Sequence, residues 1–344
     1  MAELRILPEE RQDALAAYLA GFEGIQSDPE YWKSRFRLWW DDNPAYEPSR
    51  VRGWTLEVKG RIVGFLGTVP SRILIGGKPR TARSITTWMV DAAFRNDSLA
   101  MLLDLLDDAG DGPVFDTTPT DHVAEVLRAL EFQNLPWGGS KEELFASDAA
   151  VIAKTALGSL GGTILGSVFG GLQRLRAKLA VPKGLRVDEV SEIADSDYDA
   201  LWEKTHSFFD ATNLRDAASV RWSALADPVV KKRLFECRDS GKLRGYLILK
   251  PRYRRGVETF ECADLWTDPE HPEAFEALIA RAATTPPLVS FPHFTPGIGR
   301  HLGKMGMIEL TTRPRKNLWL PPKGWNEDSS SYFCLLQGDY ATAP

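Results

Sequence analysis

The stretch Trp54–Ala109 constrains the fold of this chain more than any other part of the sequence. Two apolar, β-branched runs flank Lys59-Gly60-Arg61, a pattern typical of a tight hairpin turn. A second turn at Gly76-Gly77 leads into another strand-like run, and the apolar residues of Leu99–Leu106 then follow helical spacing. The sequence therefore predicts three antiparallel strands that lead into a helix, whose first N–H groups are available to an anion.

The order of these elements, and the residues after the third strand, resemble the GNAT superfamily of acyl-CoA-dependent acyltransferases. Members carry R/Q-x-x-G-x-G/A at the helix start, where it cradles the pyrophosphate of coenzyme A. Here the pattern falls on six consecutive residues: Arg95, Asn96, Asp97, Ser98, Leu99 and Ala100. Arg95 and Ala100 fit the pattern. Ser98 replaces a glycine, and the carboxylate of Asp97 stands where a basic residue is common.

The resemblance implies an acyl-CoA site formed by these six residues and the end of the preceding strand, at Met89 and Val90. Backbone groups of that strand would hold the pantetheine, while one base deprotonates an amine or hydroxyl that attacks the thioester. In the family this base is often a glutamate on the same strand. Thr86 and Thr87 are the only polar residues near its centre here. Asp116, at the end of the next strand, is a candidate general base or simply a helix cap.

The second half of the chain repeats this order of strands and helices. Gly245-Tyr246-Leu247 matches Gly64-Phe65-Leu66, and Trp266 falls near the position of Trp88. Phe115–Phe132 also aligns on Ser290–Met307 without a gap. A tandem repeat is the favoured interpretation, and chance similarity between two α+β halves is the alternative.

The predicted fold class is α+β, with two tandem GNAT-like domains, each a mixed central sheet flanked by helices. The first domain is placed at 1–145, a connector at 146–181 and the second domain at 182–344. In the connector an apolar stripe recurs every three or four residues from Leu157 to Leu179. This stripe favours a helix packed on one domain, and a helix that lies on a membrane surface through 149–180 is the alternative.

The second copy departs further from the family pattern. After Trp266 its loop reads Thr267-Asp268-Pro269-Glu270-His271-Pro272, without glycine or arginine, and the two prolines remove N–H donors. We therefore expect any acyl-CoA to bind the first copy. His293, in the sequence FPHFTPG at a predicted strand end, is a second catalytic candidate, with a purely structural histidine as the alternative.

Composition limits the other function classes. The 344 residues are 43% apolar and 26% charged, and the formal net charge of −5 gives no electrostatic case for nucleic acid as a partner. The three cysteines form no C-x-x-C pair, and the histidines show no metal-ligand spacing, so no metal is expected. The charged N-terminus lacks an apolar signal segment, which predicts a cytoplasmic protein, or one peripheral at the inner membrane face.

The paired layout and the C-terminal Gln337-Gly338-Asp339 resemble tandem members from bacterial exopolysaccharide gene clusters. The resemblance implies an acyl-CoA-dependent N- or O-acyltransferase that acts on a sugar, a glycan or a similar small acceptor, with acetyl-CoA or a longer acyl-CoA as donor. Two alternatives stay open: a non-catalytic GNAT-fold binding protein, and a FemA-like aminoacyltransferase that takes its acyl group from charged tRNA. The oligomeric state is left open.

Overall fold

The structure is a computed structural model. It describes residues 2–25, 27–135, 184–254, 257–285, 288–292, 302, 316–326, 328–334 and 336, together with the backbone of 141–146 and 308–311. The predicted connector at 146–181 lies outside the described residues except for Ala146 at its edge, and so does His293.

Contacts within the chain define two compact units, and neither unit is one continuous segment. The first unit contains the residues up to Leu135 and, from far along the chain, Lys316–Ser329. The second contains the described residues between 141 and 311 together with Ser330–Leu336. The units therefore differ from a simple division at 145 and 182.

The sheet of the first unit is mixed. Its strands, in chain order, are β1 (Glu3–Ile6), β2 (Gly53–Val58), β3 (Arg61–Ile75), β4 (Lys78–Val90), β5 (Val114–Asp116), β6 (Gln133–Asn134) and a late strand, Leu318–Leu320. Strands β1 to β4 are antiparallel neighbours, and β5 is parallel to β4. The late strand lies between β5 and β6 and is antiparallel to both.

The helices of the first unit are α1 (Gln12–Ala20), α2 (Pro29–Phe36), α3 (Ser98–Ala109) and α4 (Asp121–Ala129). Apolar residues of α3 and α4 form one core with Trp54, Leu66 and Leu318 of the sheet. Leu66 and Phe65 point to opposite faces because side chains alternate along a strand. On the α1 side of the unit, α1 packs on α2 and contacts β3.

The sheet of the second unit is also mixed. Its strands, in chain order, are β7 (Lys141–Ala146), β8 (Leu185–Val190), β10 (Arg233–Asp239), β11 (Lys242–Arg254), β12 (Val257–Thr267), β13 (Leu288–Pro292) and β14 (Ile308–Thr311), while β9 (Ala211–Asn213) lies outside it. The spatial order is β14-β7-β13-β12-β11-β10-β8. The late strand of the first unit is β15 (Leu318–Leu320), and β16 (Ser331–Tyr332) pairs in parallel with β9.

Helices pack on both faces of the second sheet. They are α5 (Asp195–Thr205), α6 (Ala217–Leu225) and α7 (Pro272–Ala283). Tyr198 of α5 packs its ring against Tyr246, and Arg281 of α7 lies over the ring of Phe235, which is paired with Leu247. Adjacent residues 246 and 247 face opposite sides of a strand, so α5 and α7 cover opposite faces.

The two sheets have the same strand order and the same directions. In each, four antiparallel strands are followed by a parallel neighbour, and then by an antiparallel strand from a distant part of the chain. That sixth position is filled by β15 in the first sheet and by β7 in the second. The predicted fold class, α+β with two mixed sheets flanked by helices, is confirmed.

Both hairpin turns predicted in the first half are present, together with a third between β10 and β11, and each of the three places two consecutive residues in the left-handed region. These pairs are Lys59-Gly60, Gly76-Gly77 and Ser240-Gly241, with φ between 48° and 85°. Two positive φ values in a row define the turn whose twist matches antiparallel strands. Glycine at the second position removes the steric cost that a Cβ would carry there.

Candidate active site

The parallel strands β4 and β5 separate at the centre of the first sheet. They pair only at Arg83–Val114 and Ser84–Phe115. Beyond these pairs β4 continues to Val90, whereas β5 ends at Asp116. Among the described residues, no other strand pairs with this edge of β4 beyond Ser84. The unpaired backbone groups of such an edge can form hydrogen bonds with a ligand.

Strand β4 is irregular within the separated part. Its register against β3 shifts between the partners Met89 and Thr86, which is a β-bulge. Thr87 within the bulge has φ of 54°, a conformation that a β-branched residue rarely adopts. Its hydroxyl lies 3.1 Å from that of Thr86. Bulges re-aim side chains and often adjoin active sites, so the bulge marks this part of β4 as a site candidate.

Asp116 is buried where the two strands part. Its Oδ1 accepts a hydrogen bond from the backbone N–H of Thr118 at 3.1 Å. This bond orients the carboxylate and forms the turn that leads towards α4. Thr120, rather than Asp116, caps α4 by accepting from Val123. The helix-cap alternative for Asp116 is therefore wrong, and its role as a base stays a prediction.

The predicted phosphate loop is helical rather than open. A 3₁₀ helix spans Ala92–Asp97 and continues directly into α3. The N–H of Phe94 donates to Asp91 O at 2.9 Å, and the N–H of Ser98 donates to Arg95 O. Helical structure thus begins three residues before Arg95. The exposed helix start lies at Ala92, and not at the donors of Asn96–Ala100 that the sequence favoured.

The other predicted cofactor residues differ in exposure. Val90 is buried in the core, and Met89 is half-buried. The hydroxyl of Tyr18 lies 3.4 Å from Met89 O and 3.3 Å from Asp91 Oδ1, so two acceptors share its single proton. Burial and the Asp91 charge raise the pKa of Tyr18, which therefore stays protonated at neutral pH.

A groove of about 910 Å³ adjoins these residues in the first unit. Three elements line it: α1, the turn between β2 and β3, and the start of the Ala92–Asp97 helix. Its cationic residues are Arg11, Lys59, Arg61 and Arg95. Arg95 thus connects the predicted cofactor residues with a concave surface, as expected for a residue that pairs with an anionic ligand.

At the corresponding place in the second unit, carboxylates of the chain itself occupy the loop. Asp268 is buried and accepts from Lys204 at 2.7 Å and from the N–H of Glu270 at 3.1 Å. His271 lies 3.0 Å from Glu273, and Pro272 begins α7 without an N–H to offer. A phosphate placed here would meet negative charge and few donors, which is the physical basis for expecting no cofactor in this copy.

A buried polar network surrounds Asp264 near the end of β12. Arg215 donates to both oxygens of Asp264, at 3.0 and 3.1 Å, and Tyr246 donates to the same carboxylate at 2.9 Å. The guanidinium also lies 4.3 Å from the ring centroid of Trp266 and 5.0 Å from that of Tyr332. Desolvation opposes the charge, but Asp264 holds the pKa of Arg215 above its ordinary value. These side chains are all buried.

Sequence reasoning missed Tyr18, Lys59 and Arg61 as site residues. Lys59-Gly60-Arg61 is visible in the sequence as a turn, but no local pattern shows that it faces α1. The structure brings Arg95 into the same groove, whereas Asp116 lies at the separation of β4 and β5. His293 lies outside the described residues, so its catalytic role stays a prediction.

Two further findings concern the described residues only. They contain no group of three or more histidine, cysteine, aspartate or glutamate side chains arranged to hold a metal ion. Within that same part of the chain, no helix has the length and apolar character needed to cross a membrane.

No protein-family model matches the sequence, and no curated protein matches it either. The fold is similar to solved structures. A conserved protein from Enterococcus faecalis, described as a probable N-acyltransferase, superposes with a TM-score of 0.61 at 9% identity, over 94% of this chain and 73% of its own. A GCN5-related N-acetyltransferase from Anabaena variabilis superposes with a TM-score of 0.60 at 11% identity, over 93% of this chain and 72% of its own.

The N-myristoyltransferase of Saccharomyces cerevisiae with bound myristoyl-CoA gives a TM-score of 0.51 at 12% identity, over 96% of this chain and 82% of its own. At such low identity these similarities concern the fold. The chain has the fold of GCN5-related N-acetyltransferases.

Proposed function

We propose that the protein is an acyl-CoA-dependent acyltransferase whose first unit binds the donor. The observation that carries this proposal is the separation of β4 from β5 next to a cation-lined groove, in a chain with the fold of GCN5-related N-acetyltransferases. The acceptor is an amine or hydroxyl of a sugar or a similar small molecule, consistent with a role in polysaccharide biosynthesis. N-myristoyltransferase, of the same fold, binds a long-chain acyl-CoA.

The residues of the first unit fit acyl-CoA through cationic side chains more than through a backbone cradle. Arg95 is exposed and lines the groove, so its guanidinium can pair with a phosphate. The N–H of Ser98 is already bonded to Arg95 O, and Asp97 adds a negative charge nearby. We therefore expect weak binding, with Arg95 as the main anchor.

Bound acyl-CoA would supply an activated thioester carbonyl at the separation of the strands. The acceptor nitrogen or oxygen forms the new bond to this carbonyl carbon, the carbon–sulfur bond breaks, and the thiolate takes a proton as it leaves. Asp116, held by the N–H of Thr118, is the residue assigned to accept the acceptor's proton. His293 remains a second candidate for this step.

Calorimetry with acetyl-CoA and longer acyl-CoAs tests the proposal. Arg95→Ala should weaken binding, and Asp97→Lys should tighten it about fivefold, because one charge reversal near a phosphate is worth on the order of 1 kcal/mol. Arg80→Ala, at an exposed arginine of the same unit outside the groove, is the matched control. His271→Ala tests the second unit and should leave affinity unchanged.

Binding in the second unit, or none at millimolar acyl-CoA, would remove the acyltransferase proposal. A non-catalytic binding protein of the same fold then takes its place. The specific observation that favours this second candidate is the helical structure at Arg95–Asp97, which engages the N–H of Ser98. An assay with aminoacyl-tRNA as donor distinguishes the acyl-CoA-dependent enzyme and the binding protein, which should not use this donor, from a FemA-like aminoacyltransferase, which should.

A further inference from the structure

The turn between β2 and β3 presents cations to the groove beside α1. Lys59 and Arg61 of this turn, and Arg95 across the groove, are all exposed and line it. None of the three forms an ion pair with another described residue. Arg11 is the fourth cation, and it is engaged: it lies 3.2 Å from the carboxylate of Glu57 and donates to Gly60 O at 2.8 Å. The last contact ties the turn to the residue that precedes α1.

The charges of the groove favour an anionic ligand. Among the described residues that line it, only Glu23 and Asp91 are acidic, and Asp91 lies within hydrogen-bond distance of the Tyr18 hydroxyl. Since the charge of Arg11 is matched by Glu57, three cations remain against these two carboxylates. A phosphoryl group, which accepts several charge-assisted hydrogen bonds at once, suits three side chains that approach from different elements.

The wall opposite the turn is apolar and open. Its small residues, Ala14, Ala17 and Gly21, lie on one side of α1 and at its end, and all are exposed. The rings of Tyr18 and Phe22 meet edge to face, with centroids 5.9 Å apart. Small side chains beside two aromatic rings leave room for a flat or apolar group.

We propose that this groove binds a phosphate ester with a flat or apolar body, and that Lys59, Arg61 and Arg95 hold its phosphoryl group. The phosphoryl group has two possible sources, the nucleotide part of acyl-CoA or a phosphorylated acceptor. The inference deepens the proposed function, on which both sources rest, but anion binding in the groove is measurable without acyl transfer.

Titration of the full-length protein with inorganic pyrophosphate tests the groove itself. Lys59→Gln with Arg61→Gln should lower the affinity about tenfold, since each exposed charge contributes up to about a factor of five. Lys78→Gln with Arg80→Gln is the matched control, because these residues are exposed on the next hairpin turn and lie outside the groove. It should change the affinity less than about twofold. Equal losses in both double variants, or no pyrophosphate binding by the wild type at millimolar concentration, overturn the proposal.

Two pairs of ligands identify the source of the phosphoryl group. If the groove holds the 3′-phosphate of the coenzyme, Lys59→Gln with Arg61→Gln weakens acetyl-CoA binding but leaves 3′-dephospho-acetyl-CoA unchanged. If it holds the acceptor, the variant weakens glucosamine 6-phosphate and not glucosamine. Pyrophosphate binding that depends on the groove, without acyl-CoA binding, retains the site and removes the proposed function. An unchanged affinity for all phosphorylated ligands removes the site alone.

Discussion

A corresponding row across three neighbouring strands has no ionisable residue in the first sheet and two in the second. At the last paired position before β4 and β5 separate, the row reads Val69–Ser84–Phe115. The corresponding row before β12 and β13 separate reads Lys250–Glu261–Ser290. All six residues are buried. Identical backbone pairing thus supports two opposite chemistries in the interior.

The difference teaches that the backbone ladder determines the fold and the facing side chains determine what each unit can do. Burying a lysine and a glutamate costs several kcal/mol of desolvation per ion, which opposing charges offset only when the geometry is good. In the second unit this polar row shares its sheet face with Tyr246, whose hydroxyl joins the Arg215–Asp264 network. In the first unit the corresponding row contains no ionisable residue, and four cations line the groove.

The largest expected effect tests whether the first sheet depends on its late strand. Leu318→Ala with Trp319→Ala should lower the free energy of unfolding by about 5–10 kcal/mol, because both side chains are fully buried and Trp319 stacks on Phe115. That is comparable to the whole stability of a typical domain. Urea unfolding measures it, with Lys323→Ala on the same segment as the control. A loss below about 2 kcal/mol would contradict the role of β15.

The buried row of the second unit provides the next test. Lys250→Met should cost up to about 3–5 kcal/mol, because it removes a buried positive charge opposite Glu261 in the ladder and leaves that buried carboxylate with the charge of Arg252, 3.9 Å away. Adding Glu261→Leu should recover most of this loss, since an apolar pair of similar volume needs no desolvated charge.

The double-mutant cycle gives the coupling between the two residues, measured by urea unfolding. The matched change in the first sheet is Ser84→Ala, which should be neutral or stabilising, because Ser84 Oγ is buried and has no hydrogen-bond partner among the described residues. Additive losses at Lys250 and Glu261 would show that the row is not a coupled pair.

At alkaline pH the second unit should lose stability before the first. In the second unit, burial raises the pKa of Cys237 to about 11 and that of Cys334 to about 12. Burial likewise raises the pKa of Tyr246 and of Tyr332. Unfolded thiols ionise near pH 8.5, so above that pH the folded state binds more protons and stability falls as pH rises. Cys237 alone accounts for on the order of 2 kcal/mol between about pH 9 and 11.

Among the described residues of the first unit, only Tyr18 shows a raised pKa of this kind. Hydrogen exchange should therefore show that β11 loses protection at lower pH than β3. Both strands are measured in one sample, so the intrinsic pH dependence of exchange cancels in their ratio. If β3 lost protection at lower pH than β11, the buried thiols and phenols of the second unit would not be the cause of the loss of stability.

The smallest expected effect concerns the bulge of β4. Thr87→Gly should raise the free energy of unfolding by up to about 1 kcal/mol, because glycine tolerates the φ of 54° that a β-branched residue resists. At the neighbouring position, Thr86→Gly should destabilise, since Thr86 is buried and is not among the residues with positive φ. Thermal unfolding of both variants distinguishes local strain from a general weakening of β4.

Local signals in the sequence were enough to predict the hairpin turns, the mixed sheets and the matching order of strands. Long-range pairing was not predictable, because nothing in Leu318–Leu320 indicates a place between β5 and β6. The alignment of the two halves was correct to within one residue at Trp266. This residue pairs with Tyr246 as Met89 pairs with Phe65, so it corresponds to Met89 and not to Trp88. A slip of one residue moves a side chain to the other face.

The candidate site was predicted less well than the fold. Arg95 was identified because the family pattern names it. The start of helical structure at Ala92 was missed, although Asp91 at its N-cap is a residue type that favours this position; its side chain makes no capping hydrogen bond. Lys59 and Arg61 contribute to the groove only through the way β2 and β3 meet α1. Such convergence is a property of tertiary structure, and a single sequence gives no direct sign of it.

The position of β15 has a consequence for biosynthesis. The first sheet gains the antiparallel strand between β5 and β6 only when residue 318 has been made, long after β6 at residues 133–134. At roughly 5–20 residues per second, the intervening stretch of about 180 residues takes about ten to forty seconds to synthesise. During this interval β5 and β6 present unpaired edges on the ribosome. We expect the nascent chain to depend on chaperones more than a protein whose domains close in chain order.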